Sequence, residues 1–316
     1  MEIERIAVIG AGTMGHALAL VHALGGCRVC LFDSNADVLK GATGMIKAAC
    51  ATLREAKTIT ATQEQAALDM ITPAGSLVEA VRDADLIVEA VVEKAEIKRI
   101  VFAEIDAHAP STAIIASNTS YLDIFPLIPQ ARQPLAAVAH WYTPPYIVDL
   151  VDLAPGPRTN PEVIPALKDL YEGFGKAPLV FTHLVPGYIA NRLQAALNLE
   201  CLRMIGEFGV SAEDIDFSIR HGLVERLAVL GHMRKMDYTG LEMVRNGIAG
   251  RTYQPPVNTG ETPVLDRLIE AGRSGVRSGA GFYAYGDAAA EDLFHERDLR
   301  LLQLKTQLQE PMGEEQ

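Results

Sequence analysis

Cysteine is scarce in this sequence, which limits the covalent and metal chemistry open to the chain. Four cysteines in 316 residues (Cys27, Cys30, Cys50 and Cys201) are too few for a dense disulfide framework. Cys27 and Cys30 form a C-x-x-C pair, but they flank an apolar run that is typical of a buried strand. We expect both to pack in the core, and we expect no metal site. The N-terminus also lacks the basic start of a signal peptide, so we expect a cytoplasmic protein.

Long apolar runs and an excess of positive charge are missing too. Glycines, His16, His22 and Arg28 interrupt the N-terminal apolar stretch before it reaches a bilayer-spanning length, which argues against a membrane partner. Lys and Arg total 28 against 40 Asp and Glu, and the formal charge of -12 would repel a phosphate backbone. We therefore expect no nucleic-acid partner. An anionic substrate would need a local cluster of cations to offset this charge, such as Arg226, Arg234 and Lys235.

The overall composition is that of an ordinary globular protein, with 49% hydrophobic and 22% charged residues. The chain is longer than the roughly 100–200 residues typical of one domain, and it has no internal repeat. We therefore expect two domains with a large buried core.

The N-terminal segment predicts one complete βαβ unit. A short apolar strand, 6–9, is followed by a glycine-rich turn, by a helical pattern up to Leu24 and by a second strand, 28–32. The turn is a G-x-G-x-x-G match formed by Gly10, Gly12 and Gly15, with Thr13 and Met14 between the last two. Glycines at these positions let the backbone approach a pyrophosphate at the N-terminus of the helix. The turn therefore predicts a dinucleotide site.

Asp33, which ends the second strand, indicates which dinucleotide binds. A carboxylate there can accept hydrogen bonds from both adenosine ribose hydroxyls, and it would repel a 2′-phosphate. No arginine follows it directly in the sequence. We therefore expect NAD rather than NADP.

The alternation of patterns predicts an α/β fold: a Rossmann-type, doubly wound, mostly parallel sheet followed by an all-helical second domain. Further strands are expected at 86–88, 113–115, 135–140, 147–153 and 179–182. Helices are expected at 36–57 and 93–107, and another helix is expected to start at Asn160-Pro161. A polar stretch occupies 58–65. After residue 186 the sequence becomes helical throughout. We expect a NAD-binding domain at 1–186, a helical domain at 187–286 and a helical tail at 287–316.

Polar residues beside apolar strands point to a catalytic centre, because a chain does not bury such groups without a partner. They lie in the segments 117–120, 140–142 and 151–152. In a doubly wound sheet the carboxyl ends of the strands line the ligand crevice. A histidine held by a carboxylate, here His140 with Asp152, is a suitable proton acceptor for an alcohol that loses hydride to a nicotinamide.

The combination of these motifs resembles the L-3-hydroxyacyl-CoA dehydrogenase family, in order and spacing, over nearly the whole chain up to Gly286. The motifs that carry the resemblance are Gly10–Gly15, Val88–Glu93, Ser117–Ser120, His140 with a proline four positions later, Asp152, Gly187–Arg192 and Ser278–Tyr283.

The resemblance implies a role for each matching residue. His140 would be the general base, Asp152 would orient it, and Ser120 and Asn191 would contact the reacting oxygen and the histidine. Glu93, Lys98 and Asn118 would join the glycine loop in contacting the cofactor. The second domain would be helical and would mediate formation of a homodimer.

Some positions depart from the family pattern. The orienting carboxylate is usually Glu and is Asp152 here, one methylene shorter, and Thr143 stands where the family usually has Asn. The segments 142–146 and 227–233 look more like the branch of L-gulonate 3-dehydrogenase (lambda-crystallin) and of a pyridine-carboxylate dehydrogenase. This favours a free small 3-hydroxy acid as substrate, which Arg226 or Arg234 could bind by its carboxylate.

Two alternatives remain open from the sequence. One is the same chemistry on a 3-hydroxyacyl-CoA thioester. The other is a non-catalytic, NAD-binding structural or sensing protein, for which the full set of His140, Ser120, Asn191 and Asp152 would not be required.

Overall fold

The computed structural model describes residues 2–251 and 253–309. The chain divides into two compact units. Within the described residues, the first unit comprises residues 2–188 and Arg297–Gln303, and the second comprises Ile189–Glu296 and residues 304–309. Of the helical tail expected at 287–316, residues 310–316 lie outside the described residues.

The first unit is built on one eight-stranded sheet. Its strands are β1 (Arg5–Ile9), β2 (Arg28–Phe32), β3 (Ile71–Pro73), β4 (Leu86–Glu89), β5 (Ile114–Ser117), β6 (Ala136–Trp141), β7 (Leu150–Pro155) and β8 (Ala177–Val180). The spatial order is β3-β2-β1-β4-β5-β6-β7-β8, and every neighbouring pair is parallel except β6 and β7. This confirms the mostly parallel, doubly wound sheet. The chain order reverses between β1 and β4, which places a ligand crevice at their carboxyl ends.

Helices cover both faces of this sheet. They are α1 (Gly15–Leu24), α2 (Ala36–Glu55), α3 (Ala61–Asp69), α4 (Leu77–Val81), α5 (Ala95–His108) and α6 (Val163–Gly173). Alternate residues of β1 enter opposite core layers: Ile6 and Val8 pack in one, Ala7 and Ile9 in the other. Both faces of β1 are therefore buried, and for that reason its sequence is continuously apolar rather than alternating.

The structure adds one helix start that the sequence analysis did not assign, and it corrects another. The polar stretch over 58–65 contains the start of α3, because Thr60 and Gln63 form a capping box in which the Thr60 Oγ1 accepts the Gln63 N–H at 3.2 Å and the Gln63 Oε1 accepts the Thr60 N–H at 2.9 Å. The helix expected to start at Asn160-Pro161 begins at Val163 without a side-chain cap. Its Asn160 lies in a preceding turn, where its N–H donates to the Pro134 carbonyl.

The second unit is helical. It contains α7 (Ala190–Phe208), α8 (Ala212–Ser218), a π-helical turn (Ile219–Val224), α9 (Glu225–Thr239), α10 (Leu241–Ala249) and α11 (Pro263–Glu270). The last helix, α12 (Ala290–Gln309), belongs partly to each unit. Three of these helices, α7, α9 and α10, have no fully buried residue in this chain. Their large apolar side chains are instead exposed, among them Leu193, Phe208, Met233, Tyr238 and Ile248.

No helix within the described residues is both long enough and apolar enough to cross a bilayer. The four cysteines are free thiols, and Cys27 is buried in the core as the sequence predicted.

Candidate active site

The loop between β1 and α1 is shaped by two glycines that leave no room for a side chain. Gly10 has a φ of 98°, and a Cβ there would lie 2.6 Å from the Ala90 carbonyl oxygen. A Cβ on Gly15 would overlap the Gly10 carbonyl. A Cβ on Gly12, by contrast, would meet nothing within 4 Å. The loop therefore presents open backbone at the N-terminus of α1, where a pyrophosphate fits.

Asp33 stands beside this loop at the end of β2. Its two carboxylate oxygens accept the N–H groups of Ala11 at 2.8 Å and Asn35 at 2.9 Å. Each oxygen keeps a lone pair for a ribose hydroxyl. Of the two loop residues that the sequence also assigned to the cofactor, Thr13 is exposed, and the Met14 sulfur accepts the Thr143 hydroxyl at 3.0 Å.

A buried ion pair lies under the next strand ends. Lys98 is 1% exposed, and its Nζ lies 2.7 Å from Glu89 Oε1 and 3.2 Å from Glu93 Oε2. Glu89, which is fully buried, also accepts the Ser117 hydroxyl at 2.5 Å. Reasoning from the sequence missed Glu89 as a functional support. Its signal was a carboxylate at the end of a continuously apolar strand, where a charge needs a partner.

Glu93 organises the turn that follows β5. One of its oxygens accepts the Thr119 hydroxyl at 2.6 Å and the N–H groups of Ser120 and Tyr121 at 2.9 and 3.0 Å. Burial raises the pKa of the Glu93 carboxyl, but the hydrogen bonds from Thr119 and Tyr121 and the charge of Lys98 outweigh burial, so the pKa lies below its usual range. Glu93 is therefore ionised and fixes the backbone position of Ser120.

Ser120, His140 and Asp152 form one continuous chain of contacts. The Ser120 Oγ lies 3.2 Å from His140 Nε2, and His140 Nδ1 lies 3.3 Å from Asp152 Oδ2. The dyad arises from strand register, because His140 on β6 is the direct antiparallel partner of Asp152 on β7. Both side chains are buried, at 3% and 0% exposure. With Nδ1–H directed at the carboxylate, Nε2 carries the lone pair that can take a proton.

Two tyrosines that the sequence did not single out enclose His140. The Tyr142 ring packs edge-on against the imidazole at 4.7 Å between centroids, and the Tyr188 ring stacks on it at 4.6 Å. Tyr188 is fully buried and adopts a left-handed φ of 47°, and its hydroxyl donates to the Thr119 carbonyl at 2.9 Å. Burial, reinforced by the charges of Asp152 and Glu93, raises the pKa of Tyr188 above its usual range.

The other expected site residues lie at separate points of the chain. Asn118 directly follows β5, and its Oδ1 accepts the Trp141 N–H at 2.8 Å, which ties the turn after β5 to the end of β6. Asn191 lies in the first turn of α7 in the second unit. Arg226 and Arg234 lie exposed on α9, where the Arg226 guanidinium donates to the Gly222 carbonyl. The roles of these four residues stay predictions. No cluster of potential metal ligands occurs within the described ranges.

An open glycine loop at a switch point, a carboxylate beside it after β2 and a histidine–carboxylate pair are the features of a NAD-dependent dehydrogenase. Residues 5–184 match the 3-hydroxyacyl-CoA dehydrogenase, NAD binding domain, and residues 187–285 match the C-terminal domain of the same family. The chain therefore belongs to the 3-hydroxyacyl-CoA dehydrogenase family, as the sequence motifs predicted. It is an NAD-dependent oxidoreductase that acts on a CH–OH group.

Its relatives differ in substrate. The chain is 29% identical over 304 residues to 5-formyl-3-hydroxy-2-methylpyridine 4-carboxylate 5-dehydrogenase of Mesorhizobium japonicum (96% of this chain, 97% of the relative). It is 32% identical to L-carnitine dehydrogenase of Streptomyces coelicolor (92% of each) and 30% identical to the mitochondrial hydroxyacyl-coenzyme A dehydrogenase of Homo sapiens (90% and 91%). A crystal structure of the pyridine-carboxylate enzyme superposes with a TM-score of 0.85 at 27% identity, covering 98% of this chain and 99% of that one.

Proposed function

We propose that this protein oxidises the 3-hydroxy group of a small free hydroxy acid to the 3-oxo form, with His140 as the general base. The observation that carries the proposal is the contact chain Ser120–His140–Asp152, which stands at the strand ends beside the open glycine loop.

In this mechanism His140 is the group that accepts the proton. Its Nε2 takes the hydroxyl proton of the substrate as the C–H bond breaks, and Asp152 at Nδ1 stabilises the resulting imidazolium. The Ser120 hydroxyl, held by Glu93 through its backbone, orients the substrate oxygen toward Nε2. Gly12 and Asp33 would hold NAD, which would supply the acceptor for the hydride of that C–H bond. We assign Asn191 to the same reacting oxygen on the family motif.

The choice of a free acid over a CoA thioester rests on the shortage of free cations beyond α2. A CoA phosphate needs clustered Lys and Arg side chains. The segment 54–65 offers two cations, and one of them, Arg54, pairs with Glu64 at 3.2 Å. Lys57 is then the remaining cationic side chain of this segment for the several phosphate charges of CoA. A small carboxylate needs one cationic side chain, for which we propose Arg226 or Arg234.

A steady-state screen tests both parts of this proposal. 3-Hydroxybutyryl-CoA, free 3-hydroxy acids, gulonate and carnitine are assayed with NAD, and a free acid should give the highest kcat/KM. A tenfold preference for the CoA thioester would overturn the substrate class. His140→Gln should keep NADH binding by fluorescence titration while turnover falls about 10²–10⁴-fold. Full activity in that variant would refute the mechanism, and no turnover of any substrate by the wild type would favour the non-catalytic alternative.

We also propose a homodimer in the cytoplasm. The second unit leaves an extended set of apolar side chains exposed on helices that have no fully buried residue in their own chain, a pattern typical of an interface. The four free thiols suit a reducing compartment. Light scattering should give twice the 34.1 kDa chain mass. A monomer at micromolar concentration would contradict the dimer.

A further inference from the structure

Within the described residues, Asp152 accepts two side-chain hydrogen bonds, and both are on the same oxygen. Oδ2 lies 2.6 Å from the Tyr142 hydroxyl and 3.3 Å from His140 Nδ1, while Oδ1 is buried without a hydrogen-bond partner among the described residues. The phenol is therefore the closer of two donors that share one lone-pair region. A short bond between a hydroxyl and a carboxylate is among the strong hydrogen bonds of proteins.

We propose that Tyr142 is a positioning residue of the dehydrogenase reaction, which holds Asp152 and moderates its pull on His140. This inference rests on the proposed function, because it concerns how the proton acceptor is set. The phenol anchors a carboxylate whose other oxygen has no partner, and so it fixes the direction from which the imidazole is oriented. It also draws negative charge from Oδ2, which weakens the stabilisation of the imidazolium.

Several titratable groups surround His140, and they come from different elements. Asp152 faces it from β7, Tyr142 from the end of β6 and Tyr188 from the segment before α7. Glu93 reaches the same site through the Ser120 N–H. The two tyrosines differ in the partner of their hydroxyl group. The Tyr142 hydroxyl donates to Asp152, the carboxylate that orients His140, whereas the Tyr188 hydroxyl donates to the Thr119 carbonyl.

Removal of the phenol oxygen should make the imidazole harder to deprotonate. In Tyr142→Phe, Asp152 Oδ2 loses the hydrogen bond from the phenol and keeps the one from His140. Its negative charge then stabilises the protonated imidazole more strongly. The acid limb of the kcat profile should move up by about 0.5–1 pH unit, a fraction of the shift that a full neighbouring charge produces. At a pH below the limb, kcat should fall about 3–10-fold, while KM for NAD stays unchanged.

Tyr146→Phe is the matched control. Tyr146 follows the same strand, and its hydroxyl donates to Asp298 at 2.7 Å, so the variant removes an equivalent tyrosine–aspartate bond away from the dyad. It should leave the pH profile in place. If Tyr142 acts through Asp152, the shift should also vanish when Tyr142→Phe is combined with Asp152→Asn. Tyr142→Met, which also lacks the hydroxyl, serves as a second variant should the phenylalanine form not fold.

An NMR titration separates this inference from the proposed function. The ring protons of His140, assigned by their loss in His140→Gln, are followed with pH in wild type and Tyr142→Phe without any substrate. A raised midpoint in the variant supports the role of Tyr142 even if no hydroxy acid is turned over. An unchanged midpoint, or an equal shift in Tyr146→Phe, would overturn it.

Discussion

Lys98→Met should destabilise the protein strongly, because it leaves a buried carboxylate without its cation. The ammonium group is 1% exposed and lies 2.7 and 2.9 Å from the two oxygens of Glu89, which is itself fully buried. Removal of one partner from such a pair costs about 3–5 kcal/mol. The Ser117 hydroxyl and the Val91 N–H still donate to Glu89 in the variant, so we expect the lower end of that range.

Urea denaturation followed by far-UV circular dichroism measures this loss. With an m-value near 3 kcal/mol/M, a loss of about 3 kcal/mol lowers the midpoint by roughly 1 M. The double variant Glu89→Gln/Lys98→Met removes both charges, so it should recover a large part of the stability. A single variant as stable as wild type, with NADH binding lost, would refute this reasoning and would make Lys98 a direct cofactor contact instead.

Three further predictions concern the cofactor loop and the core. Asp33→Ala should weaken NAD binding roughly 10–100-fold, since hydrogen bonds to a charged group are worth ~1.5–3 kcal/mol. It should also narrow the preference for NAD over NADP. Equal use of NADP by the wild type would contradict the placement of Asp33 at the adenosine ribose. Gly12→Ala should keep wild-type thermal stability while it weakens NADH binding, whereas Gly15→Ala should lose stability, and equal melting temperatures would count against the loop geometry. Burial lowers the pKa of His22 to about 4, below the ~6.5 of an unfolded chain. The stability present above pH 6.5 should therefore be lost as the pH falls toward 4, by up to roughly 3 kcal/mol. The urea midpoint of His22→Phe should depend less on pH than that of wild type, and an identical pH dependence would refute the role of His22.

The elements that position the cofactor could be predicted from the sequence because each rests on local chemistry. The glycine loop, the apolar run of β1 and the carboxylate that ends β2 are neighbours along the chain, and their structure follows from turn geometry and periodicity. The start of α3 was missed although Thr60 and Gln63 form a capping box, because the segment is polar and carries no apolar periodicity that would indicate an element. The short strand β3 carries no period long enough to detect.

The site residues that were missed depend on contacts between distant parts of the chain. Glu89 meets Lys98 only because α5 packs on the sheet with Lys98 on its buried side. Tyr188 stacks on His140 through a left-handed backbone, a conformation that a non-glycine residue rarely adopts and that sequence patterns do not reveal.

Tyr142 is a different case, because the sequence did contain a signal for it. Successive side chains of a strand point to opposite faces, so a residue two positions after His140 lies on the same face as the histidine. The antiparallel pairing of β6 with β7 puts Asp152 directly opposite His140. A tyrosine at 142 therefore reaches the carboxylate diagonally, at a distance that a long side chain spans. Asp152 Oδ2 lies 3.3 Å from His140 Nδ1 and 2.6 Å from the Tyr142 hydroxyl, so the phenol is the closer of the two donors and fixes the position of this shorter carboxylate. The aspartate at position 152 and the tyrosine at position 142 are therefore two parts of one hydrogen-bonded unit.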